Sequence, residues 1–390
     1  MRDRARGRVV GLLAVLAVAA CAGGPTGSPS RSATPTQAPT PSPSLVTTHS
    51  PSPSPSPSLM ATLPHGVFTA TGSTTVLSYG AAAAVLDDGE VLVVGSEPGP
   101  ADIYDPTTGA FHTTGAPVYP GGPDESAVLL ANGRVLVMDA GEAEIYDPTT
   151  GKFSQRGHSS FDRSGGAIAL LKSGQVLVAG GLGMGAAGVL KSAELYDTAS
   201  GKFIPTGSMK TGRECFTTTV LQSGKVLVAG GDDGSGCSPY QNVIAGAEIY
   251  DPQTRRFTPT GSMTTPRQDA TATLLDNGKV LIAGGDDENG PLASAELYDP
   301  TTGRFTRTGS MTITRNAFTA TLLLDGRVLI AGGGDSSAQL YDPASGTFIP
   351  TGSMAAATYN PTAVRLNDGR VLVFGGEGPG GGTSAELYWP

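Results

Sequence analysis

Short apolar segments alternate with glycine-rich and polar segments along most of this chain. Around residue 280, an alternating run over residues 270–275 leads into the pair Asn277-Gly278, and the apolar run Val280–Ala283 follows. Asn-Gly and Asp-Gly pairs supply the positive φ angles of a tight hairpin turn, so the two runs are predicted to be antiparallel strands. The second run is apolar on both faces, which is typical of a strand buried between neighbouring sheets.

This predicted hairpin recurs seven times. Its turn glycines are Gly89, Gly133, Gly174, Gly224, Gly278, Gly326 and Gly369. Successive turn glycines are 41 to 54 residues apart. A repeat of this length is one supersecondary unit that cannot bury its apolar faces alone, so it must stack on its neighbours.

Each unit continues with two further predicted strands. The third carries Glu-Leu-Tyr or a close variant and ends in a turn such as residues 299–303, Asp-Pro-Thr-Thr-Gly, in which proline presets φ and glycine takes the left-handed position. The fourth begins at a phenylalanine such as Phe305. Four short antiparallel strands per unit predict a propeller blade. The predicted fold is therefore an all-β, seven-bladed β-propeller over residues 62–390.

The aromatic residues predict how the ring closes. Six tyrosines are each followed seven residues later by a phenylalanine: Tyr104, Tyr146, Tyr196, Tyr250, Tyr298 and Tyr341 precede Phe111, Phe153, Phe203, Phe257, Phe305 and Phe348. The seventh, Tyr388, has no such partner, and Phe68 is unpaired at the other end of the repeats. We expect the segment around Phe68 to form the outer strand of the last blade beside Tyr388, which removes the open sheet edges of the array.

A glycine doublet, then a tyrosine, then a large aromatic residue seven positions later resembles the kelch repeat, over about residues 62–390. The doublets are Gly180-Gly181, Gly230-Gly231, Gly284-Gly285, Gly332-Gly333 and Gly375-Gly376. Blades one and two lack the doublet, and phenylalanine stands where the kelch pattern usually has tryptophan. The resemblance implies the superfamily of galactose-oxidase-type central propellers, but not galactose oxidase chemistry.

The first residues predict export and a lipid anchor. Four arginines precede a short apolar run in residues 1–20, which is too short to span a bilayer. The sequence Val18-Ala19-Ala20-Cys21 is similar to the lipobox of bacterial lipoprotein signal peptides, which implies lipidation of Cys21; the alternative is an ordinary cleaved signal. Residues 21–61 are rich in Pro, Ser and Thr and are predicted to be a disordered spacer. The chain is then held on the outward side of the bacterial cell membrane.

Composition and cysteines narrow the choice of partners. The formal net charge is −9, so the chain lacks the excess of basic residues that is typical of a nucleic-acid-binding protein. In an exported chain the remaining two cysteines, Cys215 and Cys237, favour a disulfide, with two free thiols as the alternative.

The sequence offers little that suggests catalysis. The four histidines show no metal-ligand spacing, and the His, Tyr and Cys cluster of a copper-radical oxidase is missing. No cofactor or metal is predicted. Asp232-Asp233 and Asp286-Asp287 follow glycine doublets without the alternating ligands of a calcium loop, which favours solvated loop tips.

One repeated position points to binding. Arginines stand eleven residues before the turn glycine in blades three to six: Arg163, Arg213, Arg267 and Arg315. Tyr79 and Tyr359 stand one residue further along in blades one and seven. Equal register places them at one mouth of the central channel, where guanidinium groups suit acidic peptides or glycans. The alternative is that the arginines satisfy carbonyls or acidic neighbours inside the fold.

Three functions fit these features. The first is a non-catalytic surface module that binds a protein, peptide or glycan. The second is an enzyme similar to kelch-type sialic acid mutarotases, with Glu214 beside Arg213 as acid or base. The third is a structural protein of the cell envelope.

Overall fold

A computed structural model describes residues 65–77, 80–119, 125–184, 187–234, 242–379 and 382–390. The predicted signal peptide, the spacer and Cys21 lie outside these ranges, as do Tyr79 and Cys237. No helix in the described part of the chain has the length and apolar character needed to cross a bilayer.

The described residues form seven four-stranded antiparallel sheets, here called blades one to seven, with strands numbered in chain order. The innermost strands are β2 (Ala82–Val85), β6 (Ser126–Leu129), β10 (Ala167–Leu170), β16 (Thr217–Val220), β20 (Thr271–Leu274), β26 (Phe318–Leu322) and β30 (Thr362–Arg365). The second strands are β3 (Val91–Val94), β7 (Val135–Asp139), β11 (Val176–Ala179), β17 (Val226–Ala229), β21 (Val280–Ala283), β27 (Val328–Gly332) and β31 (Val371–Phe374).

The third strands are β4 (Asp102–Asp105), β8 (Glu142–Asp147), β14 (Ala193–Asp197), β18 (Ala247–Asp251), β24 (Ala295–Asp299), β28 (Gln339–Asp342) and β32 (Ala385–Trp389). The outer strands are β5 (Ala110–Thr113), β9 (Lys152–His158), β15 (Lys202–Pro205), β19 (Arg256–Pro259), β25 (Arg304–Arg307), β29 (Thr347–Pro350) and, for blade seven, β1 (Val67–Ala70). Two small hairpins extend the loops of blades three and five: β12 (Leu182–Gly183) with β13 (Gly188–Val189), and β22 (Asp286–Asp287) with β23 (Gly290–Pro291).

The predicted closure of the ring is confirmed. Strand β1 pairs antiparallel with β32, and Phe68 stands opposite Tyr388. Their rings are 4.9 Å apart, within the 4.8 to 5.0 Å of the six other Tyr–Phe pairs. Innermost strands β2 and β30 also pack together. The two ends of the repeat array therefore complete a single blade.

The core lies between the blades, because each second strand buries both of its faces. In blade five, Val280 and Ile282 pack with apolar residues of blade four, whereas Leu281 and Ala283 pack with those of blade six. All four residues of β21 are buried. The doubly apolar pattern predicted a strand buried between sheets, and the structure has that arrangement.

A side-chain hydrogen bond ties each blade to the one before it. In six of the seven blades the hydroxyl of the third-strand tyrosine bonds a threonine of the preceding blade, for example Tyr298 with Thr260 at 2.9 Å and Tyr388 with Thr351 at 2.7 Å. Blade two has Arg156-Gly157 where the other repeats have Thr-Gly, so Tyr196 of blade three donates instead to the Arg156 carbonyl at 3.5 Å. Burial raises the pKa of Tyr196 to about 12. The threonine of the Thr-Gly pair that ends most repeats thus links neighbouring blades.

Candidate binding face

The candidate site lies on the top face, the end of the propeller where innermost strands begin and second strands end. The loops between second and third strands project here, as do the connections that enter each blade. The four predicted arginines lie on this face in one repeated position, as their register predicted. Their side chains, however, point into the blades and not toward solvent.

All four guanidinium groups are buried within their own blades. The exposed fractions of Arg163, Arg213, Arg267 and Arg315 are 3%, 2%, 1% and 0%. Each donates through Nη1 to the carbonyl of the glycine 17 residues later. In blade five, Arg267 reaches Gly284 O at 2.9 Å and Ser294 O at 2.9 Å. The arginines thus tie the start of the innermost strand to the end of the second strand.

A carboxylate of the third strand pairs with the arginine in blades three to five. Arg163 contacts Glu194 at 3.2 Å, Arg213 contacts Glu248 at 3.3 Å, and Arg267 contacts Glu296 at 3.5 Å. In blade six the glutamate is replaced by Gln339, and Arg315 contacts Asp335 at 3.9 Å and Ser337 instead.

The same glutamates anchor the connection that enters the blade. Glu296 accepts the backbone N–H groups of Thr264 and Thr265 at 2.8 and 3.0 Å. Glu194 accepts both the N–H and the hydroxyl of Ser160. Burial opposes ionisation of Glu194, but hydrogen bonds from Ser159, Ser160 and Arg163 hold its pKa below the usual value.

The expectation of an exposed cationic rim is therefore corrected. Burial lowers the pKa of all four arginines, and their donors face carbonyl and carboxylate oxygens of the same blade. A guanidinium group that is enclosed in this way has no face left for an acidic ligand. The geometry favours the alternative reading, in which these arginines hold the fold together.

Glu214, the alternative catalytic residue, lies beside Arg213 but is only 3% exposed. Its backbone pairs in both directions with Asp232. Two small cavities occur near the top face in the described residues, and Glu214 lines neither. Nothing in this geometry favours acid–base chemistry on a sugar at Glu214.

Cys215 is buried and lies at the mouth of the channel, where its φ of 52° is left-handed. Its N–H donates to Gly165 of blade three, and its carbonyl accepts from Asp269 of blade five. Cys215 takes part in a disulfide. Because Cys237 lies outside the described residues, their pairing stays a prediction.

The two aspartate pairs are not wholly solvated loop tips, which corrects that expectation. Asp232 and Asp286, the first member of each pair, are 1% and 2% exposed. Asp286 accepts from the Asn316 amide at 2.8 Å, and Asp232 accepts from the Gly234 N–H at 2.7 Å. Burial raises the pKa of both carboxyl groups. Their partners show that they shape the loops of blades four and five.

Apart from Tyr359, which the register of the repeats predicted, the exposed apolar side chains on the top face were not predicted from the sequence. Tyr359 is 47% exposed and its ring lies over Gly334 of blade six. The other four are Leu77, Val118, Phe161 and Met184, which are 56%, 58%, 43% and 77% exposed. All five belong to the consecutive blades seven, one, two and three. They could have been recognised in the sequence because they lie outside the apolar positions that repeat in every blade.

The charges of the top-face loops also form a pattern. Between second and third strands the acidic residues are Glu97, Asp232, Asp233, Asp286, Asp287, Glu288, Asp335 and Glu377, and Asp139 and Glu142 flank the short turn of blade two. The only lysine or arginine in these stretches is Lys191 of blade three. Asp232 and Asp286 are buried, but the other acids of these loops are half-buried or exposed and present negative charge, whereas the four arginines are enclosed in the blades.

Comparison with known proteins agrees with this architecture. A family model for the Kelch motif matches residues 271–312. Among solved structures, the chain is similar to a fungal alcohol oxidase of the AA5 family in complex with copper, with a TM-score of 0.68 and 18% sequence identity. The similarity covers 83% of this chain and 75% of the oxidase chain, and at this identity it shows the fold alone. A search of curated proteins finds no significant match.

The part of the chain that the structure describes does not offer a set of ligands for a copper ion. No group of three or more His, Cys, Asp or Glu side chains among the described residues is placed to hold a metal ion. His65 adjoins blade seven, where its ring bonds the Pro390 carbonyl, and His112 and His158 lie on the outer strands of blades one and two.

Proposed function

We propose that this kelch-type propeller is a non-catalytic binding module, held on the outside of a bacterial cell membrane through a lipid on Cys21. Its top face would bind a peptide or protein partner that carries basic and apolar side chains. The observation that carries the proposal is the combination, on one face, of acidic loops and exposed apolar side chains in consecutive blades.

Apolar groups that are exposed together on a folded domain mark interaction surfaces more often than scattered ones do. Acidic loops around them select partners of opposite charge and speed their encounter. An acidic peptide or glycan, which the arginine register suggested, would meet repulsion from these loops instead. The buried guanidinium groups cannot offset that repulsion, because each is already paired within its own blade.

Binding to a random dodecamer peptide library tests the face. We expect the selected peptides to be enriched in arginine or lysine together with apolar residues, and their binding to weaken as salt rises. The substitutions Phe161→Ala and Tyr359→Ala should each weaken binding by about tenfold or more if they are anchors of the interface. The control is Leu324→Ala, because Leu324 is 68% exposed at a hairpin turn on the opposite face.

Selection of acidic peptides, or equal weakening by Leu324→Ala, would contradict the proposed face. Circular dichroism melts of the three variants separate loss of binding from loss of folding. Alanine at an exposed position is expected to change the free energy of unfolding by no more than about 0.5 kcal/mol.

The anchor has a separate test. In a bacterial host, wild-type protein should partition into the detergent phase and incorporate a labelled fatty acid, whereas Cys21→Ser should do neither. Deleting residues 22–61 while keeping Cys21 should leave both properties intact, because the spacer carries no lipid. A Cys21→Ser protein that still enters the detergent phase would show that the lipid is not on Cys21.

A further inference from the structure

Blade seven keeps the site of the buried arginine but has no arginine in it. The equivalent residue is Thr358, which is 4% exposed. Its hydroxyl donates at 3.0 Å to the carbonyl of Gly375, which lies 17 residues later, as the arginine-bound glycines do in blades three to six. Threonine therefore makes one of the contacts of the missing guanidinium group.

The other partners of the arginine are retained. In blade three, Arg163 contacts the carbonyl and hydroxyl of Ser192 and the carboxylate of Glu194. The matching sequence in blade seven is Ser384-Ala385-Glu386. Blade seven thus presents the same two oxygen-bearing side chains without the cation that they surround elsewhere.

A small cleft opens to solvent beside Thr358. It has a volume of about 10 Å³ and is lined by Thr358, Gly375, Ser384 and Glu386, with Met354 and Phe374 among its apolar walls. We call it the blade-seven slot. Ser384 is exposed and Ala356 is half-buried, so the slot meets the surface on the top face.

The carboxylate in the slot lacks the support that its counterparts have. Glu386 accepts the backbone N–H of Ala355 at 3.0 and 3.2 Å. Burial raises the pKa of Glu386, whereas hydrogen bonds from Ser159, Ser160 and Arg163 hold the pKa of Glu194 below its usual value despite burial. A cation in the slot would favour the ionised form of Glu386.

We propose that the blade-seven slot binds the guanidinium group of an arginine side chain on a peptide or protein partner. The partner would supply the guanidinium group that blades three to six supply from their own buried arginines. A guanidinium fits better than an ammonium, because its planar fork of donors can reach the Ser384 carbonyl and the Glu386 carboxylate together. This inference rests on the proposed function and names one chemical group that the acidic top face recognises.

Titration calorimetry with defined probes tests the slot. The probes are N-ethylguanidinium, blocked arginine, the peptide Gly-Arg-Gly and its neutral analogue Gly-citrulline-Gly. We expect saturable binding of the three cationic probes, tighter for the peptide than for blocked arginine, and none of the citrulline analogue. Tight binding of N-ethylguanidinium with no gain from the peptide would assign the slot to a free guanidino compound and overturn the peptide source.

Two substitutions in the slot sharpen the test. Thr358→Arg should fill the slot as the arginine does in blade five, abolish probe binding and leave the protein folded. Glu386→Gln keeps the shape of the slot and should weaken N-ethylguanidinium binding by about tenfold, which equals 1.4 kcal/mol. Should Thr358→Arg not fold, Glu386→Gln alone decides the matter.

The proposed binding site would be wrong if N-ethylguanidinium bound Glu386→Gln as tightly as the wild-type protein. It would also be wrong if the wild-type protein showed no saturable binding of the cationic probes. Either result leaves the library test on Phe161 and Tyr359 unaffected, so failure of this inference is distinguishable from failure of the proposed function. Loss of library binding in those two variants together with intact N-ethylguanidinium binding is the pattern expected if both proposals hold.

Discussion

Removing residues 1–70 is expected to open the propeller ring and destabilise it strongly, whereas removing residues 1–64 is expected to leave its stability unchanged. The two truncations differ by six residues, which include the whole of β1. Strand β1 contributes the outer strand of blade seven and is the only part of that blade from the N-terminal side of the repeats. Its loss leaves the edge of β32 unpaired.

The size of the effect follows from the contacts that are lost. Phe68 is partly buried and packs on Tyr388, so losing its side chain should cost less than the roughly 3–5 kcal/mol of a fully buried phenylalanine. The ladder from Val67 to Ala70 is also lost, as is the 2.9 Å hydrogen bond from the Trp389 indole to Thr69. An exposed strand edge is in addition a template for pairing between chains.

Thermal melts and size-exclusion chromatography measure both consequences. The shorter protein should melt well below the 65–390 protein and should form larger species as concentration rises. A substitution, Phe68→Ala in the 65–390 protein, should show part of the destabilisation without the open edge. Equal melting temperatures and a monomeric 71–390 protein would show that closure by β1 contributes little.

The fold was predictable because its determinants are local and repeated. The turn glycines, the doubly apolar second strands and the seven-residue spacing from tyrosine to phenylalanine each occur in every complete unit. Even the long-range contact between Phe68 and Tyr388 could be predicted, since each was the member of a pair that lacked its partner. Counting incomplete repeats therefore located a contact across 320 residues of sequence, the difference between positions 388 and 68.

The position of the arginines was predictable, but their environment was not. Arg267 and Glu296 are 29 residues apart, and the corresponding separations in blades three and four are 31 and 35. The loop of variable length between them hides the pairing from a count of spacing. Only the three-dimensional register, which sets the start of the third strand near the start of the innermost strand across the end of the second, brings the two charges together.

Which acidic residues are buried and which are exposed could not be predicted from the spacing of the repeats either. Asp286 and Asp287 are neighbours in a hairpin, yet one is buried and the other is half-exposed. The amide that bonds Asp286 comes from Asn316 of the next blade, across a contact that the repeat pattern does not specify. The residues to which we assign the proposed binding sites, such as Thr358 and Tyr359, are ones that differ between blades, so the repeated pattern does not predict their role.

Replacing Arg267 with alanine is expected to lower the free energy of unfolding by roughly 3–5 kcal/mol, because it leaves a buried carboxylate without its cation. Glu296 is 0% exposed and keeps only the N–H groups of Thr264 and Thr265 as partners among the hydrogen bonds described above. The carbonyls of Gly284 and Ser294 also lose a donor. Urea unfolding followed by circular dichroism measures the loss.

Two matched variants identify the cause of that loss. Arg307→Ala removes an exposed arginine of the same blade, and it should change stability by no more than about 0.5 kcal/mol. Adding Glu296→Gln to Arg267→Ala removes the uncompensated charge while keeping an acceptor for the two N–H groups, so part of the stability should return. If Arg267→Ala unfolds at the same urea concentration as the wild-type protein and instead loses binding of the selected peptides, then Arg267 contacts the ligand and the structural role argued for it is wrong.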